Sequence, residues 1–421
     1  MLYCKKRLDM VHTVGIYAYI RSNLAIVGGI EAQIVHLAHE LRRQGCRVVL
    51  HCLASDSIPL VYKDKSFSFG SACKEVDGIK VFSPKNGYGL EGCYQENLAF
   101  SKKEKETIIF CFDTREGHVF DISRHVKEEL DIPLVSFVYF TVEERWWRSQ
   151  FTEWGKNRLG LADQKEEEQY FISRQKILQD MIHFSDAVIV PTHYVRGQLL
   201  ALSSVEDAYK MHVCYHGIPP VTGSRKTWKK EAPFLQACRM HVPYACDKGF
   251  LWGLETFLKH SFAQKLYVCG QGNALDALKD IVQKEQASDR IIFKGLLPQS
   301  QLFSLMEECS CALVPSMMEA GCTFAVESAA HGCLPIALDA AGLGEIMYML
   351  GLSDYTLRMV PYFLDEKTHI FVPKEEEFLA LLQGLDGKKV NQDLKKANAV
   401  IEEYFTVSKT TERLLDLLKW I

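Results

Sequence analysis

Short apolar runs alternate with stretches of helical periodicity along most of the chain. Near the N-terminus, the run from Val11 to Tyr19 predicts a β-strand, and Gly28-Gly29 opens the segment that follows. Apolar residues then recur at the three- and four-residue spacing of an amphipathic helix as far as Gly45, and Arg47 to Leu53 predicts a second strand. Because a strand–helix–strand unit of this kind places its strands parallel in one sheet, the sequence predicts an α/β fold.

The same alternation continues through both halves of the chain. Further strands are predicted at Thr107–Phe112, Leu134–Phe140, Ala187–Val190, Lys210–Cys214, Leu266–Cys269, Ile291–Lys294, Cys311–Val314 and Leu334–Leu338. A chain of 421 residues is too long for one hydrophobic core. The segment Pro219–Lys226, with prolines and a glycine, is the best linker. We therefore predict an N-terminal domain over residues 1–222, a C-terminal domain over 223–403, and a final amphipathic helix within 404–421 that packs back on the N-terminal domain.

Composition and charge narrow the class of protein. Hydrophobic residues make up 48% of the chain and charged residues 24%, which is typical of a globular protein. The formal net charge of −4 gives no overall attraction to nucleic acid, so no nucleic-acid partner is expected. The 14 cysteines are scattered, many of them within apolar runs, and the closest pair, Cys309 and Cys311, lacks a second pair at zinc-ligand spacing. These features predict free thiols in a reducing, cytoplasmic compartment.

The N-terminus has some features of a signal peptide, with basic residues before an apolar run. Asp9 and His12 interrupt that run, so we interpret it as the first strand. No uninterrupted apolar run reaches the roughly 18 residues that a membrane span needs. Peripheral contact with a membrane surface stays open.

Two clusters have the chemistry of phosphate binding. Gly28 and Gly29 precede a helix, whose N-terminus presents free N–H groups to an anion such as a diphosphate; a simple turn is the alternative. Arg239 and Lys248 follow a predicted strand, where two cations could neutralise a leaving phosphate. The alternative for this pair is two solvated surface charges. The turn containing Gly270 and Gly272 follows a predicted strand, and we interpret it mainly as the connection from strand to helix that an α/β fold requires.

The strongest cluster is the run from Pro315 to Glu327. It places Glu319 in a loop after a buried strand and Glu327 in the helix that Gly332 ends. A glycosidase pair requires carboxyl groups roughly 5–9.5 Å apart, whereas eight residues of helix span about 12 Å. The better interpretation places one carboxylate near a reacting sugar and the other in contact with a ribose.

In the order and spacing of these motifs, nearly the whole chain resembles the family-4 retaining glycosyltransferases. The residues that carry the resemblance are Gly28-Gly29, His216-Gly217-Ile218, Arg239, Lys248-Gly249, Gly270 to Gly272, Phe293-Lys294-Gly295, Pro315-Ser316, Glu319, Glu327, Gly332, Pro335 and Glu345. The resemblance implies the GT-B fold, in which two Rossmann-like domains face a central cleft. It also implies a retaining, front-face transfer of a sugar, typically a hexose, from a nucleotide-sugar donor to a glycan or lipid-linked acceptor.

The resemblance assigns roles residue by residue. Arg239 and Lys248 would hold the donor diphosphate and stabilise it as the leaving group. Glu319 would contact the transferred sugar, and Glu327 would bind the ribose hydroxyls. Gly28, Gly29, Gly270 and Gly272 would line the donor site. No metal or other cofactor is expected, because the two cations neutralise the leaving group.

Several residues depart from the family pattern. Glu143 stands where many relatives have a histidine, and His216 and Pro219 replace the familiar asparagine and aspartate of the linker turn. The aromatic–basic segment after Glu143 makes Glu143, Trp146 and Trp147 candidate contacts for the acceptor or the sugar; filling of the core is the alternative for the tryptophans. Two other functions stay open, a nucleotide-sugar 2-epimerase and a catalytically degenerate scaffold or binding protein.

Overall fold

Two mainly parallel sheets carry the fold in the computed structural model, which describes residues 12–18, 29–53, 72–84, 91–112, 117–139, 169–221, 227–240, 248–363 and 369–421. The strands of the first sheet are β1 Thr13–Ala18, β2 Arg47–Cys52, β3 Ala72–Val76, β4 Ile79–Ser83, β5 Ile108–Phe112, β6 Leu134–Phe137, β7 Ala187–Val190 and β8 Met211–Val213. Those of the second sheet are β9 Phe234–Ala237, β10 Leu266–Cys269, β11 Ile291–Gly295, β12 Cys311–Val314, β13 Leu334–Leu338 and β14 Thr356–Leu357. A separate antiparallel hairpin pairs β15 Met359–Phe363 with β16 His369–Pro373.

Helices connect the strands in both sheets. Around the first sheet they are α1 Gly29–Arg43, α2 Glu91–Glu104, α3 His118–Leu130, α4 Gln169–Phe184 and α5 His193–Leu200. The remainder are α6 Phe250–Lys259, α7 Leu275–Lys284, α8 Gln299–Glu308, α9 Thr323–Ala330, α10 Ala341–Met349, α11 Glu375–Gly384, α12 Gly387–Tyr404 and α13 Val407–Leu418. None of these helices combines the length and the apolar character needed to cross a membrane. The α/β fold predicted from the sequence is confirmed.

The first sheet has the order β3-β4-β2-β1-β5-β6-β7-β8, and every neighbouring pair is parallel except β3 and β4. Successive side chains of β1 enter two different cores. Val14 and Ile16 join the core under α1, whereas Tyr17 joins the core under α3 and α4. Because both faces of the sheet are covered, its central strands are continuous apolar runs, which is why the sequence predicts them well.

The β3–β4 hairpin was not among the predicted elements. Its turn consists of Asp77 and Gly78, both with positive φ (48° and 76°). An Asp-Gly pair between two strands is a strong hairpin signal, so the sequence contained the information. The hairpin extends the edge of the first sheet, away from the residues proposed for chemistry.

The second sheet has the order β11-β10-β9-β12-β13-β14 and is parallel throughout. The order changes direction at β9, which lies between β10 and β12. In open parallel sheets ligands bind beyond the carboxyl ends of the strands at such a point. Arg239 lies two residues after the end of β9, which places it at this edge.

The end of the chain returns to the first sheet. α12 ends at Tyr404 and α13 begins at Val407, so a break separates α12 from the helix that lies within the predicted segment 404–421. The break has a local cause, since Thr406 caps α13 by accepting a hydrogen bond from the Lys409 N–H (3.3 Å). Leu414 of α13 is buried in the core under α1. The predicted domain boundary at residue 222 lies outside the described residues.

We call the residues around the first sheet, with α13, the first half of the molecule, and those around the second sheet the second half.

Candidate active site

The loops after β9, β10 and β11 lie against one another at the carboxyl edge of the second sheet. Main-chain hydrogen bonds join Cys238 N–H to the Cys269 carbonyl (3.1 Å) and Gly270 N–H to the Gly295 carbonyl (2.8 Å). Gly270 has a φ of 136°, and a Cβ there would lie 1.9 Å from the Cys238 carbonyl oxygen. Glycine is therefore required for packing behind Arg239. Gly272 lies in the same loop, where its carbonyl accepts from the Leu275 N–H (3.2 Å).

Lys248 reaches the loop that follows β12. Its Nζ lies 2.8 Å from Glu319 Oε1 and donates to the Met318 carbonyl oxygen at 3.1 Å. Both side chains are mostly buried, with exposed fractions of 24% and 16%. A close approach of backbones makes this pair possible, since a Cβ at Gly249 would lie 2.2 Å from the Pro315 carbonyl oxygen. The structure thus brings together a cation and a carboxylate that are far apart in sequence.

The Glu319 loop is held from both halves of the molecule. Within the second half, the Gly342 N–H at the beginning of α10 donates to the Glu319 carbonyl at 2.8 Å. From the first half, the Thr192 hydroxyl donates to the Ala320 carbonyl at 2.7 Å. Gly321 packs on Pro191 and His216, where a Cβ would lie 2.9 Å from the proline Cβ. The position of Glu319 therefore depends on how the two halves meet.

His216, which departs from the family pattern, is part of this contact. Burial lowers its pKa to about 4, against the opposing effect of a hydrogen bond with the Gly321 backbone. The imidazole is consequently neutral at physiological pH. Its ring also packs against Tyr139 at a centroid distance of 4.2 Å.

Glu327 lies on α9, as the sequence predicted, and its carboxyl group points into the protein. Burial raises its pKa to about 8, and the Gln299 side chain opposes this shift only in part. Gln299 Nε2 donates to Glu327 Oε1 at 3.4 Å. The carboxyl group is therefore mostly protonated at neutral pH, in a site where Gln299 is a polar partner and no cation of the described residues pairs with it.

The first half supplies the beginning of α1. A Cβ at Gly29 would lie 3.8 Å from Thr323 Oγ1, so the first turns of α1 and α9 face each other. Two residues on, Glu31 pairs with Arg239 across the two halves, with Arg239 Nη2 3.1 Å from Glu31 Oε2. The beginning of a helix favours anions, and two such helix ends meet here.

The arrangement gathers most of the candidate residues that the structure describes. Arg239, Lys248, Glu319, Glu327 and Gly29 lie at the junction of the two halves, with Gly270 and Gly272 behind them. Other candidates fall outside the described residues: Gly28, Glu143, Trp146 and Trp147.

The sequence alone assigns no role to three residues at this junction. Glu31 and Gln299 contact predicted site residues, and Thr192 contacts the Glu319 loop. An acidic residue beside Gly28-Gly29 was a weak signal for Glu31. Nothing in the local sequence distinguishes Gln299 or Thr192 from ordinary surface residues.

Comparison with known families gives two matches. The model described as Glycosyltransferase Family 4 matches residues 27–221, and the model described as glycosyl transferases group 1 matches residues 258–350. Together they span most of the chain and both halves of the junction. A search of curated proteins by sequence found no match.

Solved structures show the same fold over almost the whole chain. Sucrose-phosphate synthase from Thermosynechococcus elongatus is 14% identical, with a TM-score of 0.70 over 97% of this chain and 98% of its own. HepE from Anabaena, solved in complex with UDP and glucose, is 13% identical, with a TM-score of 0.65 over 97% and 100% of the two chains. The catalytic domain of starch synthase IV from Arabidopsis thaliana, bound to ADP and acarbose, is 14% identical, with a TM-score of 0.63 over 97% and 99%. At these identities the similarity is one of fold.

Proposed function

Because this chain belongs to the family-4 glycosyltransferases with the GT-B fold, we propose that it transfers a hexose from a nucleotide-sugar donor with retention of configuration. The acceptor that we propose is a glycan or a lipid-linked sugar. The observation that carries this proposal is the contact between Lys248 and Glu319 (2.8 Å) at the edge of the second sheet where Arg239 also lies. Cations beside a carboxylate suit a reaction in which a diphosphate leaves while positive charge develops on a sugar.

The leaving group accounts for the two cations. Departure of a nucleoside diphosphate concentrates negative charge on its terminal phosphate. Arg239 and Lys248 would stabilise this charge, because both are held in place before the reaction begins. A divalent metal is not needed in this scheme.

The two glutamates have separate roles. Glu319, held beside Lys248, would lie close to the transferred sugar and favour the oxocarbenium-like state of a front-face displacement. Glu327 would bind the ribose hydroxyls, since a carboxylate accepts hydrogen bonds from two neighbouring hydroxyl groups. The nucleotides bound to HepE and to starch synthase IV support a nucleoside diphosphate as the leaving group.

The acceptor would bind on the first half. We propose that Glu143, Trp146 and Trp147 contact the acceptor or the transferred sugar, since aromatic faces stack on sugar rings. A lipid-linked acceptor would bring the enzyme to a membrane surface. Cysteines that the structure describes, among them Cys269 and Cys311, are free thiols, which fits our proposal of a cytoplasmic enzyme.

A donor panel tests the proposal. Purified protein is incubated with UDP-, ADP- and GDP-linked hexoses, with and without glycan acceptors, and the anomeric configuration of the product is read by NMR. We expect transfer with retention, undiminished by a chelator. Lys248→Met should lower kcat at least a hundredfold, because one charge on the leaving group is lost.

The matched control is Lys259→Met, which removes another lysine of the second half that pairs with a glutamate (Lys259 Nζ to Glu375 Oε1, 2.6 Å). It should keep full activity. Conversion of the donor without any acceptor would favour a 2-epimerase. Failure of every nucleotide at millimolar concentration to raise the melting temperature would favour a scaffold protein.

A further inference from the structure

Glu31 holds the guanidinium that we assign to the donor diphosphate. Arg239 Nη2 lies 3.1 Å from Glu31 Oε2 and 3.3 Å from Glu31 Oε1. Glu31 is in the first turn of α1, in the first half, and Arg239 follows β9 in the second half. The ion pair therefore spans the cleft between the halves.

The chemistry of this contact resembles that of a phosphate. An arginine guanidinium binds carboxylate and phosphate oxygens through the same N–H donors and with similar geometry. Glu31 takes up N–H donors of Nη2, so a phosphate oxygen that uses the same donors must replace the carboxylate. The negative charge of Glu31 would also repel a diphosphate placed next to it.

We propose that Glu31 is an internal substitute for the donor diphosphate, so that donor binding exchanges Glu31 for phosphate oxygens at Arg239. This inference rests on the proposed function and adds a residue of the first half to the donor site. Glu31 sets how tightly the diphosphate binds, and it occupies Arg239 when the cleft is empty.

A second contact from the same helix supports the exchange. The His36 ring hydrogen-bonds to the Gln299 side chain, and Gln299 Nε2 in turn donates to Glu327 Oε1 at 3.4 Å. α1 thus reaches both polar groups assigned to the donor, Arg239 directly and Glu327 through Gln299.

The exposure of the pair makes a reversible exchange reasonable. The Arg239 and Glu31 side chains keep 38% and 24% of their surface exposed. Ion pairs with this access to water contribute little, because solvent screens them. A diphosphate carries more charge than a carboxylate and would replace it at a small cost.

The experiment compares Glu31→Gln with the unaltered full-length chain. Glutamine keeps the shape of the side chain and removes its charge. Binding of UDP, ADP, GDP and inorganic pyrophosphate is measured by calorimetry at low ionic strength. Pyrophosphate reports on the phosphate site whichever base the donor carries. We expect Glu31→Gln to lower the Kd of pyrophosphate and of the best nucleotide about three- to tenfold.

Two further variants make the result specific. Glu40→Gln removes a carboxylate from the same helix that pairs with Arg43 (2.6 Å) rather than with Arg239, so nucleotide binding should not change. Adding Arg239→Gln to Glu31→Gln should abolish the gain in affinity. If Glu31→Gln lowers the melting temperature strongly, Glu31→Ala is used in its place with the same expectation.

Each outcome decides a different question. Equal or weaker binding by Glu31→Gln, with clear binding by the unaltered chain, would overturn the exchange and leave the proposed function intact, since Glu31 would then only orient Arg239. Absence of binding of every nucleotide and of pyrophosphate to both proteins would overturn the inference together with the proposed function.

Discussion

The Tyr215 hydroxyl donates a hydrogen bond to the Glu345 carboxylate at 2.9 Å. The same carboxylate accepts from the His193 and Tyr194 N–H groups, both at 2.9 Å, at the beginning of α5. Glu345 belongs to α10 of the second half, and its three partners precede β9 in the chain. One side chain therefore caps a helix of the other half and holds the segment that joins the two sheets.

Loss of this cap should weaken both stability and closure of the cleft. Glu345→Ala leaves two N–H groups without their acceptor, and we expect the free energy of unfolding to fall by about 2–4 kcal/mol. Tyr215→Phe removes one hydrogen bond and should cost about 1 kcal/mol. Urea unfolding measures both values, and small-angle scattering with and without nucleotide measures closure.

Tyr355→Phe is the control for Tyr215→Phe. Its hydroxyl donates to Asp393 Oδ2 at the same distance of 2.9 Å, within the second half. It should lower stability to a similar degree but leave the nucleotide-dependent change in scattering intact. If both phenylalanine variants show the same nucleotide-dependent change in scattering, the Tyr215–Glu345 contact does not contribute to closure of the cleft.

Nucleotide binding should release a proton from Glu327. Burial raises the pKa of this carboxyl group to about 8, so it is mostly protonated in the free protein at neutral pH. Two ribose hydroxyls would favour the ionised form, because a carboxylate accepts both hydrogen bonds, and the pKa would fall in the complex. Calorimetry with UDP at pH 7 in buffers of different ionisation enthalpy counts the protons. We expect a release approaching one, absent in Glu327→Gln; equal counts in the two proteins would contradict the proposed ribose contact.

The same pKa makes stability depend on pH in the absence of ligand. Between about pH 4.5 and pH 8 the unfolded chain loses the Glu327 proton while the folded chain keeps it. The unfolded state therefore binds fewer protons, and this residue makes the protein less stable as the pH rises through that window. Glu327→Gln should flatten this part of the stability profile, as measured by urea unfolding at several pH values. An unchanged profile would contradict the raised pKa.

Gly342 should be essential to the position of Glu319. A Cβ there would lie 2.2 Å from the Ala320 carbonyl oxygen and 2.8 Å from the Glu319 carbonyl oxygen, both backbone atoms that cannot move aside cheaply. Gly342→Ala should cost about 2–3 kcal/mol of stability and reduce kcat at least tenfold. Gly197→Ala, in α5, is the control, because a Cβ at that position meets open space. It should stabilise the protein by about 0.5–1 kcal/mol. Full activity in Gly342→Ala would show that the loop tolerates a shift.

Several strands of this protein are determined by local sequence pattern. The predicted strands Ala187–Val190, Cys311–Val314 and Leu334–Leu338 have the same bounds in the structure. All three are buried runs in a parallel sheet, and such runs have no polar positions to blur their limits. The loop position of Glu319 and the helical position of Glu327 follow from the same pattern.

Contacts between the halves could not be predicted in this way. Glu31 and Glu345 have roles only because the two sheets meet at a particular orientation, which no local periodicity encodes. The break at Thr406 is a similar case. It coincides with the pairing of Thr406 and Ile218, residues that are distant in sequence.

A buried polar network beneath β1 and β2 gives the last prediction. His51 Nε2 lies 2.7 Å from Glu106 Oε1, and Nδ1 lies 2.8 Å from Asn97 Oδ1, with both members of the His51–Glu106 pair fully buried. Tyr17 stacks on the imidazole at 3.9 Å. Loss of either member of the pair leaves one buried polar atom of the other, His51 Nε2 or Glu106 Oε1, without the partner it has in this network.

The two single substitutions in this pair should therefore together cost more stability than the double substitution does. Glu106→Leu and His51→Phe should each lower the free energy of unfolding by about 3–5 kcal/mol, and the double variant should lose at least 2 kcal/mol less than the sum. Urea unfolding of the four proteins gives the coupling energy. Glu412→Gln, which breaks an ion pair on the surface of α13, should have no measurable effect. Additive losses would mean that His51 and Glu106 have no coupling energy, so that each stabilises the first half independently of the other.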